Sequence, residues 1–191
     1  METKNYFQAL SHIDKIPVGM SAYLMHSLKE YRFKRQGKIQ AADPQAIFLA
    51  YLQHGSARLY AVDRETHEQH TVDFYLPGNF LPLPAPAGHS FQADLYIEFL
   101  EESTVLALSE KHFRYLPKLF SECTLLYHKM YSSHLLSQIS RMIARENSSA
   151  DERLMQLSTS RPHLFNVASV KDLASYLGMH PNTLSKLKGN P

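Results

Sequence analysis

The sequence has no tryptophan and a single cysteine, Cys123. One thiol cannot close an intrachain disulfide, so packing must hold the fold, and a reducing compartment is its natural setting. Cys123 falls in an apolar helical stripe and reads as a buried structural thiol. No run approaches the roughly 18 apolar residues of a membrane-crossing helix. The opening Met1-Glu-Thr-Lys-Asn leads into a mixed segment, unlike a signal peptide. These absences predict a soluble, cytoplasmic chain with no membrane partner. A strong charge of either sign is also missing, since twenty Lys/Arg and eighteen Asp/Glu leave a formal +2. Catalytic patterns are absent as well. There is no G-x-S-x-G, P-loop or HExxH, and no H-x-H pair of the kind a metalloenzyme on a cupin-type barrel requires. The eleven His are scattered. The nearest sets are His67/His70 and His128/His134, and the latter, six apart, do not share a helix face. No enzyme, cofactor or metal site is expected.

What is present is a 44% apolar chain with eleven Tyr and ten Phe, enough for a substantial core. Apolar positions at helical spacing from Ser21 to Tyr31 predict a helical lead-in. From about Phe33 to Ser109, short apolar runs (Ile47–Leu52, Ala57–Val62, Thr71–Leu76, Asp94–Leu100, Thr104–Leu108) alternate with turn residues, the pattern of an all-β sandwich or roll. His54-Gly-Ser reads as a tight turn and Asp63–His70 as a hairpin tip. Helix returns with Ser109 as N-cap. From Pro117 to Arg145 there is no Gly and no further Pro. Leu119, Cys123, Leu126 and Met130 make one stripe, continued by Leu136, Ile139 and Ile143. Such a helix would be on the order of 40 Å long, more than one small domain can cover. Leu126, Met130, Leu136, Ile139 and Ile143 are therefore the expected seam of a homodimer, against the plainer reading that the helix packs only on its own β-domain.

Asn147-Ser-Ser marks a boundary, after which Ser149-Ala-Asp-Glu152 forms a capping box. Beyond it, five Lys/Arg outnumber three acids. Ser169-Val-Lys-Asp172 opens a second helix start. Ala174 must be small where a following helix crosses close by, and Gly178 can take the left-handed conformation that ends the first helix. Leu173, Leu177, Leu184 and Leu187 face inward, and Pro181 suits a first helical turn. This Ala–Gly–Leu spacing with a polar outer face is the pattern of a DNA-binding helix-turn-helix, the plain alternative being an ordinary helical hairpin.

At this point Ala174-Ser-Tyr-Leu-Gly-Met-His-Pro-Asn-Thr-Leu-Ser-Lys186 resembles the helix-turn-helix of Crp/Fnr regulators, particularly a short-tailed branch. Leu76-Pro-Gly-Asn-Phe80 and the Gly55–Val62 strand are similar to that family's β-roll, and the resemblance covers nearly the whole chain. It implies an α+β fold. A jelly-roll-like β-roll (a double-stranded β-helix) with flanking helices would occupy 1–116, a long dimerisation helix 117–147, and a small helical DNA-binding domain 148–191. It also implies palindromic double-stranded DNA, RNA polymerase and an unknown small effector as partners. Ser169, His180, Asn182, Thr183, Ser185, Lys186 and Lys188 would contact DNA, with Ala174, Gly178 and Leu184 as structural positions. Asn182 and Lys186 suit base edges or phosphates by chemistry. Pro181 and Asn182 replace a base-reading Arg-Glu pair of the best-known members, so a different operator is expected. The sequence stops at Pro191, with little room for the winged hairpin that often flanks such motifs, so either the chain is trimmed or the motif is minimal.

Cyclic-nucleotide members hold the phosphate with a Gly-Glu and an Arg-Ser pair. Here Pro82, Pro84 and Pro86 follow Phe80, and Ala93 and Asp94 stand at the Arg and Ser positions. A carboxylate repels phosphate, so cyclic-nucleotide binding is expected to be lost. Phe80, Phe91, Ala93, Asp94 and Tyr96, beside Phe74, Tyr75 and Phe99, are candidates to line an effector pocket; the plain alternative is that they are core. The other functional reading is a β-roll interaction or small-ligand module with a decayed helix-turn-helix.

Overall fold

The structure is a computed structural model that describes residues 3–40, 47–82 and 93–189. Two helices, α1 (Lys4–Ile13) and α2 (Val18–Ser27), lead into the strands. The helical spacing expected to run to Tyr31 stops at Ser27, because Lys29–Phe33 is strand β1. Tyr31 and Phe33, two apart, both pack onto the β-core, which is strand periodicity. The remaining strands are β2 (Lys38–Gln40), β3 (Ile47–His54), β4 (Ala57–Asp63), β5 (Gln69–Tyr75), β6 (Phe80–Leu81), β7 (Ala93–Phe99) and β8 (Ser103–Ser109). They form two four-stranded antiparallel sheets, β1-β8-β3-β6 and β2-β7-β4-β5. Leu52, Leu59, Ile97, Phe99 and Val105 fill the space between them, and Phe33 stacks on Phe99 at 4.1 Å. This is the expected roll. At the β3–β4 turn Gly55 has φ +86, and a Cβ there would lie 2.1 Å from Ser103 Oγ and 2.6 Å from the Glu102 carbonyl. Only glycine fits that turn.

A second core lies on the outer face of the first sheet. Tyr6, Leu10, Met20 and Leu24 meet Leu106 and Leu108 there, together with Leu116, Cys123 and Leu126. The latter three belong to α3 (Glu110–Leu119) and α4 (Glu122–Asn147). The helix expected from Pro117 onward is thus divided. Phe120 leaves helical geometry at φ −137 and packs toward Tyr23, 6.0 Å between ring centroids. Burying that ring turns the chain before α4 starts. Ser109 sits at the N-cap of α3 but makes no side-chain capping bond. Leu119 is left exposed at the end of α3. Burial pushes the Cys123 thiol up to about 11, which suits a structural rather than a reactive role.

The chain then forms α5 (Ala150–Ser160), α6 (Leu164–Val167), α7 (Val170–Leu177) and α8 (Pro181–Gly189). The capping box is present. Ser149 Oγ accepts the Glu152 amide at 3.2 Å, and Glu152 Oε2 accepts the Ser149 amide at 2.7 Å. Their core of Leu157, Leu164, Leu173, Ala174, Leu177 and Leu184 is shared with Phe74 and Leu100 of the roll. Among the described residues no helix is long and apolar enough to cross a membrane.

Candidate nucleic-acid interface and effector cavity

Ser169 Oγ accepts the Asp172 amide at 3.1 Å and so starts α7. Gly178 ends that helix in the left-handed region, φ 64 and ψ 45, and Pro181 opens α8. Ala174 and Leu184 are fully buried where the two helices meet, and Leu187 is half-buried. The helix–turn–helix geometry inferred from the residue spacing is therefore present. It leaves Asn182, Thr183, Ser185 and Lys186 exposed on α8.

Three further residues expected at the DNA face have other engagements. His180 Nδ1 accepts the Asn182 amide at 3.2 Å, capping α8. Lys188 Nζ lies over the Phe165 ring at 5.1 Å. Ser169 Oγ also donates to Asp172 Oδ2 at 2.6 Å. Asp172 in turn pairs with Arg58 of β4, which also reaches Glu98 at 2.6 Å and Gln69 at 2.8 Å.

Those bonds belong to a docking surface between the second sheet and the helical domain. The Thr71 amide donates to Ser175 Oγ at 2.9 Å, and Phe74 meets Tyr176 edge-on at 5.1 Å. Asp73 is held by Arg141 of α4 at 2.9 Å and by Arg161 at 3.3 Å. His163 Nε2 lies 2.8 Å from Glu101 Oε1. Burial pushes the Glu101 carboxyl up, but the hydrogen bonds from His163 and Ser56 outweigh it and hold it below its ordinary value. Sequence spacing gave no sign of this surface, since Arg58 and Asp172 are 114 residues apart.

Of the residues expected to line an effector pocket, Phe74, Tyr75 and Phe80 border one cavity, whereas Ala93, Asp94, Tyr96 and Phe99 do not. Leu95, Ile97 and Phe99 of β7 point into the roll, so strand alternation puts Asp94 and Tyr96 on the outer face. Tyr96 stacks there on Tyr60 at 5.4 Å, and Asp94 accepts from Arg64 at 2.7 Å. Ala93 begins β7 opposite Asp63. Phe74 packs on Tyr176, whereas Tyr75 and Phe99 belong to the roll interior. Phe91, Pro84 and Pro86 lie outside the described residues. Phe80 does border a cavity, of about 420 Å³, between α1, α3, α4 and the strands β3, β5 and β6. Phe48, Phe113 and Met130 supply apolar wall, and Tyr75, His134 and Arg161 supply polar groups. Tyr75 Oη is buried there without a hydrogen-bond partner among the described residues. No group of three or more His, Cys, Asp or Glu suited to a metal occurs among the described residues.

The expected seam is split. Leu126 is buried in the chain's own second core and Met130 packs partly against it, so neither waits for a partner. Leu136, Ile139 and Ile143 are 63%, 42% and 54% exposed. The first half of the stripe thus follows the plainer reading.

No family model matches the chain, and no curated protein matches it. Solved structures do match. A putative transcriptional regulator of the Crp/Fnr family from Eubacterium rectale aligns with TM-score 0.69 at 12% identity, over 90% of this chain and 82% of that one. FixK2 from Bradyrhizobium japonicum aligns with TM-score 0.65 at 18% identity, over 85% and 83%. The c-di-GMP-responsive global regulator CLP from Xanthomonas campestris aligns with TM-score 0.64 at 11% identity, over 91% and 90%. With its two-sheet roll, long α4 and Gly178-centred helix–turn–helix, the chain has the fold of the Crp/Fnr regulators.

Proposed function

We propose that the protein is a cytoplasmic, dimeric, DNA-binding transcription regulator of the Crp/Fnr type, and not an enzyme. The observation that carries this reading is the α7–Gly178–α8 unit, whose buried Ala174 and Leu184 set the crossing while Asn182, Thr183, Ser185 and Lys186 stay exposed. Two such units on a twofold axis would enter successive major grooves about 34 Å apart, giving a palindromic site. Asn182 reads a base edge and Lys186 a guanine or a phosphate. Domain limits of 1–116, 117–147 and 148–191 accompany this reading. RNA polymerase and a small effector are its further partners. The effector is not a cyclic nucleotide, because Asp94 stands where a phosphate ligand is needed and is paired with Arg64. The 420 Å³ cavity beneath α4 is the better place for it.

Selection from a random DNA pool tests this proposal. The chain should enrich a palindrome, and Asn182→Ala should change the enriched sequence, with a loss of about 1–3 kcal/mol at one position. Lys186→Ala should lower affinity and reduce its salt dependence if it meets phosphate. No enrichment even at low salt would favour a β-roll interaction or small-ligand module with a decayed motif.

A further inference from the structure

Beside the 420 Å³ cavity, and sharing Ser137 and Arg161 with it, a second cleft of about 250 Å³ lies between α4, α5 and α7. Arg141, Arg145, Arg153 and Arg161 line it, with the hydroxyls of Ser137 and Ser140, and no Asp or Glu does so among the described residues. Each guanidinium is oriented by the fold. Arg145 donates to the Ser175 and Tyr176 carbonyls, the latter at 2.5 Å, and Arg153 donates to the Leu177 carbonyl at 2.8 Å. Both therefore sit at the negative end of α7, which offsets part of their charge. Arg161 donates to the Phe74 carbonyl at 2.9 Å. Arg141 and Arg161 share one carboxylate, Asp73, behind the cleft. Arg141 Nη2 is ion-paired with Asp73 Oδ2 at 2.9 Å, and its Nη1 donates to Ser137 Oγ at 3.1 Å.

Four guanidiniums with one carboxylate among them repel one another, and an anion would relieve part of that repulsion. Burial, and then the neighbouring charges of Arg141 and Arg153, lower the Arg145 guanidinium from its ordinary value, the direction expected where positive charge is under-compensated. The volume is below the roughly 300–1,000 Å³ of sites for drug-sized ligands. It suits a compact oxyanion, and guanidinium forks are the donor set that phosphate oxygens take.

We propose that this cleft is a binding site for a phosphate-class oxyanion, either free phosphate or the terminal group of a phosphate ester. The site lies away from the α8 surface and adjoins the cavity beneath α4, with which it shares Ser137 and Arg161. A bound anion ties Arg141 and Arg145 on α4 to Arg153 on α5, so its occupancy steadies the helical domain that carries the helix–turn–helix against α4. This inference does not depend on DNA recognition.

Isothermal titration of the full chain with inorganic phosphate and, separately, pyrophosphate, at ionic strength fixed with chloride, tests it. The expected result is saturable binding of one anion per chain. Tighter binding of pyrophosphate than of phosphate would identify an ester or diphosphate as the source, and equal binding would identify phosphate itself. Arg141→Gln should weaken binding about tenfold or more, the loss of one charge-assisted contact. Ser140→Asp, at an exposed helical position, should do the same by repulsion even if the arginine variant fails to fold. Heats no different from the chloride control, or affinity unchanged in a folded Ser140→Asp variant, would overturn the proposal.

Discussion

His134 shows how one side chain can report on packing. Its ring stacks near Tyr75, 6.3 Å between centroids, and its Nε2 lies 3.1 Å from Gln138 Nε2, which donates to it when the ring is neutral. Burial lowers its pKa from the ordinary 6.5, with Asp73 raising it and Arg141 adding to the lowering. A base whose folded-state pKa is depressed binds fewer protons folded than unfolded, so stability rises with pH across that interval. Stability should therefore be full above the unfolded value of 6.5 and decline as pH falls below it, until the folded ring also protonates. Denaturant midpoints measured across this range should show the slope, and His134→Gln should flatten it. An unchanged slope in the variant would assign the effect to another group. Glu101 acts with the same sign in a lower window. Its depressed carboxyl contributes stability above its ordinary 4.5 that is lost as pH falls through the folded value.

At the level of elements, α4 has two halves with different obligations. Cys123 and Leu126 are already buried in the chain's own core, whereas Leu135, Leu136, Ile139, Met142 and Ile143 form an exposed apolar stretch. Such a stretch costs nothing to the isolated chain when made polar. Leu136→Glu with Ile139→Glu should leave monomer stability within about 0.5 kcal/mol and abolish dimerisation in sedimentation. A dimer that survives would move the interface elsewhere. The sequence disclosed this stripe but not where it stops being core, because the helical period is the same on both sides of Met130. Elements with strong local signals were legible: the Ser149–Glu152 capping box, the Gly55 turn, and the Ser169–Gly178–Pro181 punctuation of the motif. The short strands β2 and β6 were not, since three and two residues carry no periodicity of their own and exist through pairing with β7 and β3. The pocket residues of β7 failed for a related reason. Asp94 was placed by alignment to a family pattern and Tyr96 by its aromatic ring, whereas which face of a strand is buried depends on its register; Phe80 does border the cavity.

On the scale of the whole molecule, the helical domain is held to the roll by a buried polar contact that no local pattern encodes. Arg58 has a 6% exposed side chain and sits between Glu98, 12% exposed, and Asp172, 16% exposed, with its guanidinium 4.4 Å from the Tyr60 ring centroid. Asp172 also closes the N-terminal cap of α7 through Ser169. One arginine thus connects β4, β7 and the helix that carries α8. Removing the cation leaves Asp172 without its cationic partner and Glu98 with only Lys38, 3.8 Å away, and breaking such a pair costs about 3–5 kcal/mol in buried settings. In a two-domain chain that cost can be avoided by undocking α7 from the sheet. Arg58→Met should therefore loosen the interface before it unfolds the roll. The Thr71 amide, which donates to Ser175 Oγ across the interface, reports this directly by hydrogen exchange. Its protection should fall in Arg58→Met while core amides such as those of Val105 and Leu106 keep theirs. Adding Glu98→Gln and Asp172→Asn should restore much of the Thr71 protection, because neutral side chains can remain docked without the cation. If Thr71 exchange is unchanged in Arg58→Met, Phe74–Tyr176 packing and the Asp73 ion pairs alone hold the two halves together, and the contribution of Arg58 is confined to pairing with Glu98.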